Sequence, residues 1–229
     1  RISLINRDFN EAFNEFSALT VGAKITKSAA PAQIFNGAFA TTTRVNDVDI
    51  TTYNDGKPLC STIHPRVDGG TAQSNASSTG IALTETNVET ARVALLEQKQ
   101  DDGTPITITG VIYLVVPTAK DKSARIITDS NLRSNTPDND TNIYSGGAMN
   151  VLSSNWLGAS QGGSDTAWFL VAPSTAQLRL VIRTDMELNQ SVDKNTKSAL
   201  FDLILDMSVG SVDYRGVWGS KGNGLAYSS

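Results

Sequence analysis

The sequence predicts an α+β fold, and three segments carry that prediction. Thr86 and Glu89 have the spacing of a capping box, which starts a helix. Residues 111–116 are a near-continuous apolar run, typical of a strand buried on both faces of a sheet. Residues 201–209 alternate apolar and polar side chains, which is the period of a strand. With 229 residues, 39% of them hydrophobic, the chain can bury a substantial core.

Three helices are expected along the chain. Residues 8–19 carry apolar side chains at helical spacing, which predicts a short amphipathic helix. These side chains are Phe9, Phe13, Phe16 and Leu19. Thr86 should cap a second helix that ends near residue 100, and Thr118 a third over residues 119–128. The side chains expected to face inward in these two helices are Val88, Ala91, Leu95, Ala124 and Ile127.

The remaining segments divide into strands and one long stretch that is poor in apolar residues. Residues 105–108, 168–172 and 178–182 read as further strands. Residues 34–83 contain many Thr, Gly, Ser and Asn residues and few apolar ones. Such a stretch cannot build its own core, so it is expected to lie against another chain.

Composition argues against several classes of protein. The formal net charge of −4 is opposite to the basic charge of proteins that bind nucleic acid by neutralising phosphates. No apolar run approaches the roughly 20 residues that cross a bilayer. One cysteine, Cys60, allows neither an intrachain disulfide nor a Cys-rich zinc site. The chain starts at Arg1, which predicts either proteolytic processing or a partial chain.

No catalytic, cofactor-binding or metal-binding residue is predicted. Cys60, His64 and Asp68 are spaced by four, but nearby prolines exclude a helix, and in a strand they would lie about 13 Å apart. A cysteine hydrolase that uses Cys60 and His64 therefore stays an alternative only. The glycine pairs form no phosphate-binding loop. The acidic runs 101–102 and 138–140 do not match a calcium loop and are read as solvated turns.

A series of short motifs resembles tailed-phage major capsid proteins, especially the family of the phage Mu major head subunit. The first is DGKPLCSTIHP at residues 55–65, followed by Gly69, Gly70 and Asn75. The others keep the family's order along the chain. They are QKQDDGTPI at 98–106, YLVVP at 113–117, WFLVAP at 168–173 and VDYRGV at 212–217. The sequence departs from the family pattern at Cys60, where an aromatic residue is common, and at Thr118, where a second proline is expected.

This resemblance implies the Hong Kong 97 capsid fold, with five parts. Residues 1–33 would be an N-terminal arm and residues 34–83 an extended β-hairpin loop that reaches over a neighbouring subunit. Residues 84–117 would begin the peripheral domain, with its spine helix packed on the strand at 201–209. Residues 118–184 would form the axial domain. Residues 185–229 would return to the peripheral domain.

The resemblance also implies the function of a major capsid protein. Such subunits form hexamers and pentamers of an icosahedral shell around double-stranded DNA, without being enzymes or needing cofactors. The residues expected at contacts between subunits are Lys57, His64, Arg66, Asp213 and Arg215. Possible further partners are a portal, a scaffold or maturation protease, and a decoration protein. The protein would be assembled in the host cytoplasm and reside in the virion, with no membrane contact; a covalent crosslink at Lys57 is a less favoured possibility.

Two other structural functions remain open at this point. An encapsulin-like nanocompartment shell would share the fold but enclose an enzyme. A β-rich tail or decoration protein would lack the helix that begins at Thr86.

Overall fold

The computed structural model describes residues 2–45, 48–132, 140–192, 195 and 199–227. Its elements, in chain order, are α1 (Ile2–Asn36), β1 (Thr42–Val45), β2 (Val48–Thr51), α2 (Glu85–Leu96), β3 (Ile112–Pro117), α3 (Asp121–Asp129), β4 (Met149–Ser154), β5 (Trp168–Val171), β6 (Leu178–Val192), β7 (Ala199–Ser211) and β8 (Val217–Ser220). Short 3₁₀ turns occur at Thr118–Lys120, Asn155–Leu157 and Ala159–Gln161. The predicted mixture of helices and strands is confirmed.

The chain divides into two compact units. Unit 1 comprises Arg1–Pro31 and Leu180–Val209, and unit 2 comprises Ala32–Arg179 and Gly210–Ser229. None of the helices in the described ranges is long and apolar enough to cross a membrane.

A four-stranded sheet in the order β4-β3-β5-β8 forms the centre of unit 2. Strand β3 pairs in parallel with β4 and antiparallel with β5, and β5 pairs antiparallel with β8. Leu114 of β3 lies opposite Leu170 of β5, and both are fully buried. The predicted strands 111–116 and 168–172 are therefore confirmed. The burial of β3 accounts for its continuous apolar sequence, since both of its faces are covered.

Helix α2 packs on this sheet through β5 and β8. The predicted inward residues Val88, Ala91 and Leu95 are all fully buried in the core. The resemblance implied that this helix packs on the strand at 201–209. That strand instead pairs with β6 in a separate two-stranded sheet.

The start of α2 differs from the predicted capping box. Thr84 is the N-cap, and its side chain accepts the Asn87 N–H at 3.3 Å. Glu89 instead binds Arg92 and the Tyr144 hydroxyl. The carboxylate therefore ties α2 to the segment that precedes β4, a long-range contact that the local pattern could not reveal.

Replacing Thr84 with alanine should lower the free energy of unfolding by about 1 kcal/mol, because one N-terminal backbone N–H loses its acceptor. Thr86→Ala is the matched control, since Thr86 lies inside the helix and caps nothing. Denaturant titration of both variants tests the assignment. An equal or larger loss for Thr86→Ala would restore the capping box.

Two other local predictions are corrected. Residues 105–108 form no strand; Pro105 makes only an isolated bridge with Lys99. Thr118 begins a 3₁₀ turn, and α3 starts at Asp121 without a side-chain cap. The two residues predicted to face inward from α3 are confirmed: Ala124 is fully buried and Ile127 packs against the core.

The described part of residues 34–83, which leaves out 46 and 47, does not form the one long hairpin that was expected. This range contains the end of α1 and one short hairpin, β1 paired with β2. The chain after Tyr53 is irregular and folds into unit 2, where Leu59, Cys60 and His64 are fully buried. A segment with few apolar residues is thus stabilised by hydrogen bonds within its own chain.

Unit 1 contains most of helix α1 together with the long strands β6 and β7. The helix predicted at residues 8–19 is confirmed but extends from Ile2 to Asn36. The side chains of Phe9, Phe13 and Phe16 lie outside the described part of the structure. Lys27 of α1 binds Asp185 of β6 at 2.8 Å. The strands predicted at 178–182 and 201–209 are confirmed, and both are longer than expected.

Candidate functional site

His64 lies at the centre of a buried polar cluster in unit 2. Its ring is fully buried, with Nδ1 2.6 Å from Asp55 Oδ2 and Nε2 3.1 Å from Asn75 Oδ1. The Tyr214 ring stacks on it at 3.8 Å with an interplanar angle of 6°, and Tyr53 approaches edge-on. We call these five residues the histidine anchor. It joins the segment after β2 to the loop before β8.

The hydrogen bonds of Asn75 indicate that His64 Nε2 acts as a donor. Asn75 Nδ2 donates to the carbonyls of Leu59 and Tyr214. This orients the Asn75 amide so that its Oδ1 faces the backbone N–H of Ser61 and the ring of His64. Oδ1 accepts the Ser61 N–H at 2.8 Å, and His64 Nε2 is therefore its second donor. His64 Nδ1 in turn lies 2.6 Å from Asp55 Oδ2, so both ring nitrogens have a hydrogen-bond partner inside the protein.

The tyrosines of the anchor remain neutral. Burial, together with the charges of Asp213 and Asp55, raises the pKa of Tyr53 to about 12. Burial also raises the pKa of Tyr214. Neutral rings can pack against His64 without adding a charge to the cluster.

Arg215 connects the anchor to a group of acidic residues. Its guanidinium binds Asp213 at 3.0 Å and Asp101 at 2.5 Å, and Nε donates to the Lys99 carbonyl at 2.9 Å. It also lies over the Tyr214 ring, 4.9 Å from the centroid. Burial alone would lower the pKa of Arg215, but the hydrogen bond and the charge of Asp213 outweigh it and raise that pKa. Arg215 therefore holds the chain after α2 against the loop before β8.

Arg66 holds a tight turn near the same acidic residues. Its guanidinium pairs with Asp68 and donates to the Asp101 carbonyl at 3.3 Å. Gly69 has φ +73°, and its N–H donates to the Arg66 carbonyl. Val67, at the tip, is 87% exposed. The ion pair thus closes a turn that exposes the Val67 side chain.

The five residues expected at contacts between subunits fall into two groups. His64 is fully buried and Arg215 is nearly so, because both are enclosed within unit 2. The side chain of His64 therefore has no surface with which to touch a neighbour. Lys57, Arg66 and Asp213 are partly exposed. Asp213 and Arg215 also line an open depression of about 480 Å³.

Sequence reasoning missed the partners of the anchor. Asp55, Asn75 and Tyr214 all fall inside the motifs that carry the family resemblance, and that is the signal that could have identified them. Their roles require contacts over 9, 11 and 139 residues of sequence, the last between Asn75 and Tyr214.

The surroundings of Cys60 and His64 do not favour a catalytic pair. Cys60 is fully buried, and burial alone raises the pKa of its thiol well above the usual value. Both ring nitrogens of His64 are bound to Asp55 and Asn75. A neutral, enclosed thiol is a poor nucleophile.

Cys60 should therefore react with a thiol reagent at least ~100-fold more slowly in the folded protein than in denaturant, because both access and ionisation are suppressed. Stopped-flow labelling with a chromogenic disulfide checks this. As a control, Val67→Cys on the exposed loop should react at nearly the rate of the unfolded chain. Rapid labelling of Cys60 in the native protein would reopen the hydrolase alternative.

Acidic residues elsewhere give no metal site in the part of the chain that is described. No group of three or more His, Cys, Asp or Glu side chains there could hold an ion. Asp101 and Asp102 bind Arg215 and Thr104 instead. Asp138 and Asn139 lie outside the described residues.

Two solved structures are similar to this chain at low sequence identity. One is a capsid of an empty GTA particle, with a TM-score of 0.47 and 10% identity over 94% of this chain and 66% of that one. The other is a virus-like particle from Pyrococcus furiosus, with a TM-score of 0.33 and 12% identity over 62% of this chain and 56% of that one. This chain thus spans less than two thirds of either. At scores below 0.5, neither likeness establishes a shared fold.

Comparison with curated proteins gave no significant match. A family model described as "Phage capsid protein" matches residues 3–219. That range includes every motif that resembled capsid proteins, the whole histidine anchor, and strands β6 and β7. Because the match spans nearly the whole sequence, the chain belongs to this phage capsid protein family.

Proposed function

We propose that this chain is a major capsid subunit of a tailed bacteriophage, which assembles with copies of itself into hexamers and pentamers of an icosahedral shell around double-stranded DNA. The observation that carries the proposal is the family match over residues 3–219. The resemblance to the phage Mu head-subunit family and the Hong Kong 97 fold belong to the same proposal. In that fold α2 is the spine helix.

The polar chemistry of the chain supports a structural function. In the histidine anchor the groups that could transfer protons are enclosed and bound to one another, which suits rigidity better than turnover. We accordingly propose that the chain is not an enzyme and needs no cofactor.

The charge of the chain supports enclosure of DNA without tight binding. A net charge of −4 gives little attraction to phosphates, so packaged DNA could enter and leave the shell freely. Residence in the virion after assembly in the host cytoplasm follows from this function. A portal, a scaffold or maturation protease and a decoration protein are its proposed further partners.

The proposal assigns parts of the shell subunit to ranges of the chain. Residues 1–33 would be the arm, 84–117 and 185–229 the peripheral domain, and 118–184 the axial domain. The boundary at residue 184 lies within β6 (Leu178–Val192), so the two domains would share that strand. Lys57, Arg66 and Asp213, which keep exposed surface, remain the proposed contacts between subunits.

Electron microscopy of the purified chain, combined with size-exclusion chromatography, tests this function. Closed icosahedral shells are the expected result, and shells from the native source should contain DNA. Shells that enclose protein cargo would instead indicate a nanocompartment. A chain that stays monomeric at every concentration and salt condition would contradict the proposal.

A further inference from the structure

Residues 221–227, which follow β8 in unit 2, lie against residues 78–80, and we call them the strap. The two segments run antiparallel. Backbone N–H groups on both sides make the hydrogen bonds between them: Gly224 to the Gly80 carbonyl at 2.7 Å, Gly80 to the Leu225 carbonyl at 2.9 Å, and Tyr227 to the Ser78 carbonyl at 2.7 Å. The strap thus satisfies backbone groups of residues 78–80 that would otherwise face solvent.

Tyr227 is the side chain that holds the strap in place. Among residues 221–227, all of which the structure describes, it alone is buried. Its hydroxyl donates to the Cys60 carbonyl at 2.7 Å, and its ring meets the Phe39 ring edge-on with the centroids 5.4 Å apart. Lys221 Nζ lies 4.3 Å from the centre of the same ring. Burial raises the pKa of Tyr227 to about 12, so the hydroxyl keeps its proton and remains a donor.

Two glycines leave the room that the strap occupies. A Cβ added at Gly80 would lie 2.2 Å from Asn223 Oδ1, and a Cβ at Gly222 would lie 2.0 Å from the carbonyl oxygen of Thr166. Gly222 also has φ +64°, a conformation that residues with a side chain rarely adopt. The hydroxyl of Thr166 donates to the Lys221 carbonyl at 2.8 Å. The strap therefore has one defined closed position.

The strap is held less firmly than the strand that precedes it. Leu225 is 65% exposed, and the two glycines of the strap contribute no side chain. All four residues of β8, in contrast, are buried. Segments with few buried apolar contacts and with hydrogen bonds near solvent open at a lower free energy than the domain as a whole. The strap can therefore open while the sheet of unit 2 stays folded.

We propose that the strap is a releasable latch, with Tyr227 as its catch, and that its opening gives solvent access to Cys60 while the rest of unit 2 stays folded. Cys60 lies between the strap and β8: its carbonyl accepts the Tyr227 hydroxyl, and a Cβ added at Gly219 would lie 2.7 Å from its Sγ. Opening also frees backbone groups of residues 78–80, which the closed strap keeps from pairing with another chain. This inference goes beyond the proposed function, because it concerns contacts within one chain.

The rate at which Cys60 of unassembled subunits reacts with a chromogenic disulfide measures the opening of the strap. Tyr227→Phe removes only the hydrogen bond to the Cys60 carbonyl and should raise this rate about five-fold. Tyr227→Ala also removes the ring and should raise the rate at least ~30-fold. Leu225→Ala is the matched control within the strap. It should leave the rate unchanged, because the Leu225 side chain is exposed.

Thr84→Ala separates opening of the strap from unfolding of unit 2. It removes the cap of α2, whose contacts do not involve the strap, and it should lower the stability of unit 2 about as much as Tyr227→Phe does. The labelling rate of Thr84→Ala should nevertheless equal that of wild type, because the strap opens without unfolding α2. The labelling rate of wild type should also rise less steeply with urea than global unfolding does, since local opening exposes little surface.

The outcomes either support the latch or overturn it. Equal labelling rates for wild type and Tyr227→Phe would overturn it, and so would equal increases for Thr84→Ala and Tyr227→Phe. An increase with Leu225→Ala as large as that with Tyr227→Ala would show that Tyr227 is not the catch. If Tyr227→Ala fails to fold, Tyr227→Phe, Thr84→Ala and Leu225→Ala decide. None of these measurements requires shells, so failure of the latch and failure of the proposed function give different results.

Discussion

Replacing His64 with alanine is expected to lower the free energy of unfolding of unit 2 by about 3 kcal/mol or more. The change leaves the Asp55 carboxyl group, which is only 16% exposed, without its hydrogen-bond partner on the His64 ring. It also removes one of the two donors to Asn75 Oδ1 and the ring that stacks on Tyr214. Urea titration of unassembled subunits, followed by tryptophan fluorescence, measures the loss.

Two further substitutions make the result specific to the histidine anchor. Asp55→Ala should cost about as much as His64→Ala, and the double variant should cost little more than either, because both residues serve one interaction. Lys57→Ala is the control from the same segment, and it should change stability by less than about 0.5 kcal/mol. A loss below about 1 kcal/mol for His64→Ala would contradict a structural role.

Replacing Arg215 with alanine should destabilise unit 2 by about 3 kcal/mol, since a nearly buried guanidinium with three polar partners is removed. Asp213, which is 22% exposed, would lose its counter-ion, and the Lys99 carbonyl would lose a donor. Arg215→Lys should recover only part of the loss, because an ammonium cannot make the same set of directed hydrogen bonds. The same urea titration measures both variants.

Arg183→Ala is the control for Arg215. Arg183 also pairs with an aspartate, but its side chain is 83% exposed, so its removal should have no measurable effect on stability. Because His64 and Arg215 both contact the Tyr214 ring, their losses should be less than additive when combined. Equal effects of Arg215→Ala and Arg183→Ala would show that burial of the ion pair does not matter.

Local periodicity predicted much of the secondary structure. The helix after Thr84, the buried strand β3 and the alternating strand β7 were each indicated by residues close together in sequence. Where two local patterns competed, the prediction failed: Thr84 and Thr86 are both potential caps, and only the position of Glu89 beside Arg92 and Tyr144 decides between them. One partner of Glu89, Tyr144, lies 55 residues away, and local spacing cannot reveal such a contact.

The candidate site was predicted in part. Arg66 and Arg215 were predicted as contacts with other subunits. In the structure Arg215 binds Asp101, Asp213 and the Lys99 carbonyl, and Nη2 of Arg66 binds Asp68 and the Asp101 carbonyl. His64 was read in the same way, although it is enclosed by residues from three separate segments. Composition does not reveal whether the polar groups of one chain bind one another, so the sequence alone could not show that His64 is buried within its own chain.

The sequence by itself determined the family, the mixed fold class and the elements whose periodicity is strong. These follow from short-range spacing and from an ordered series of motifs that folding does not change. Only the tertiary structure decided that residues 53–83 fold into unit 2, that His64 is an anchor, and that the long strands β6 and β7 pair in a sheet of their own. The physical reason is that burial of a polar or apolar side chain depends on which distant segments meet it.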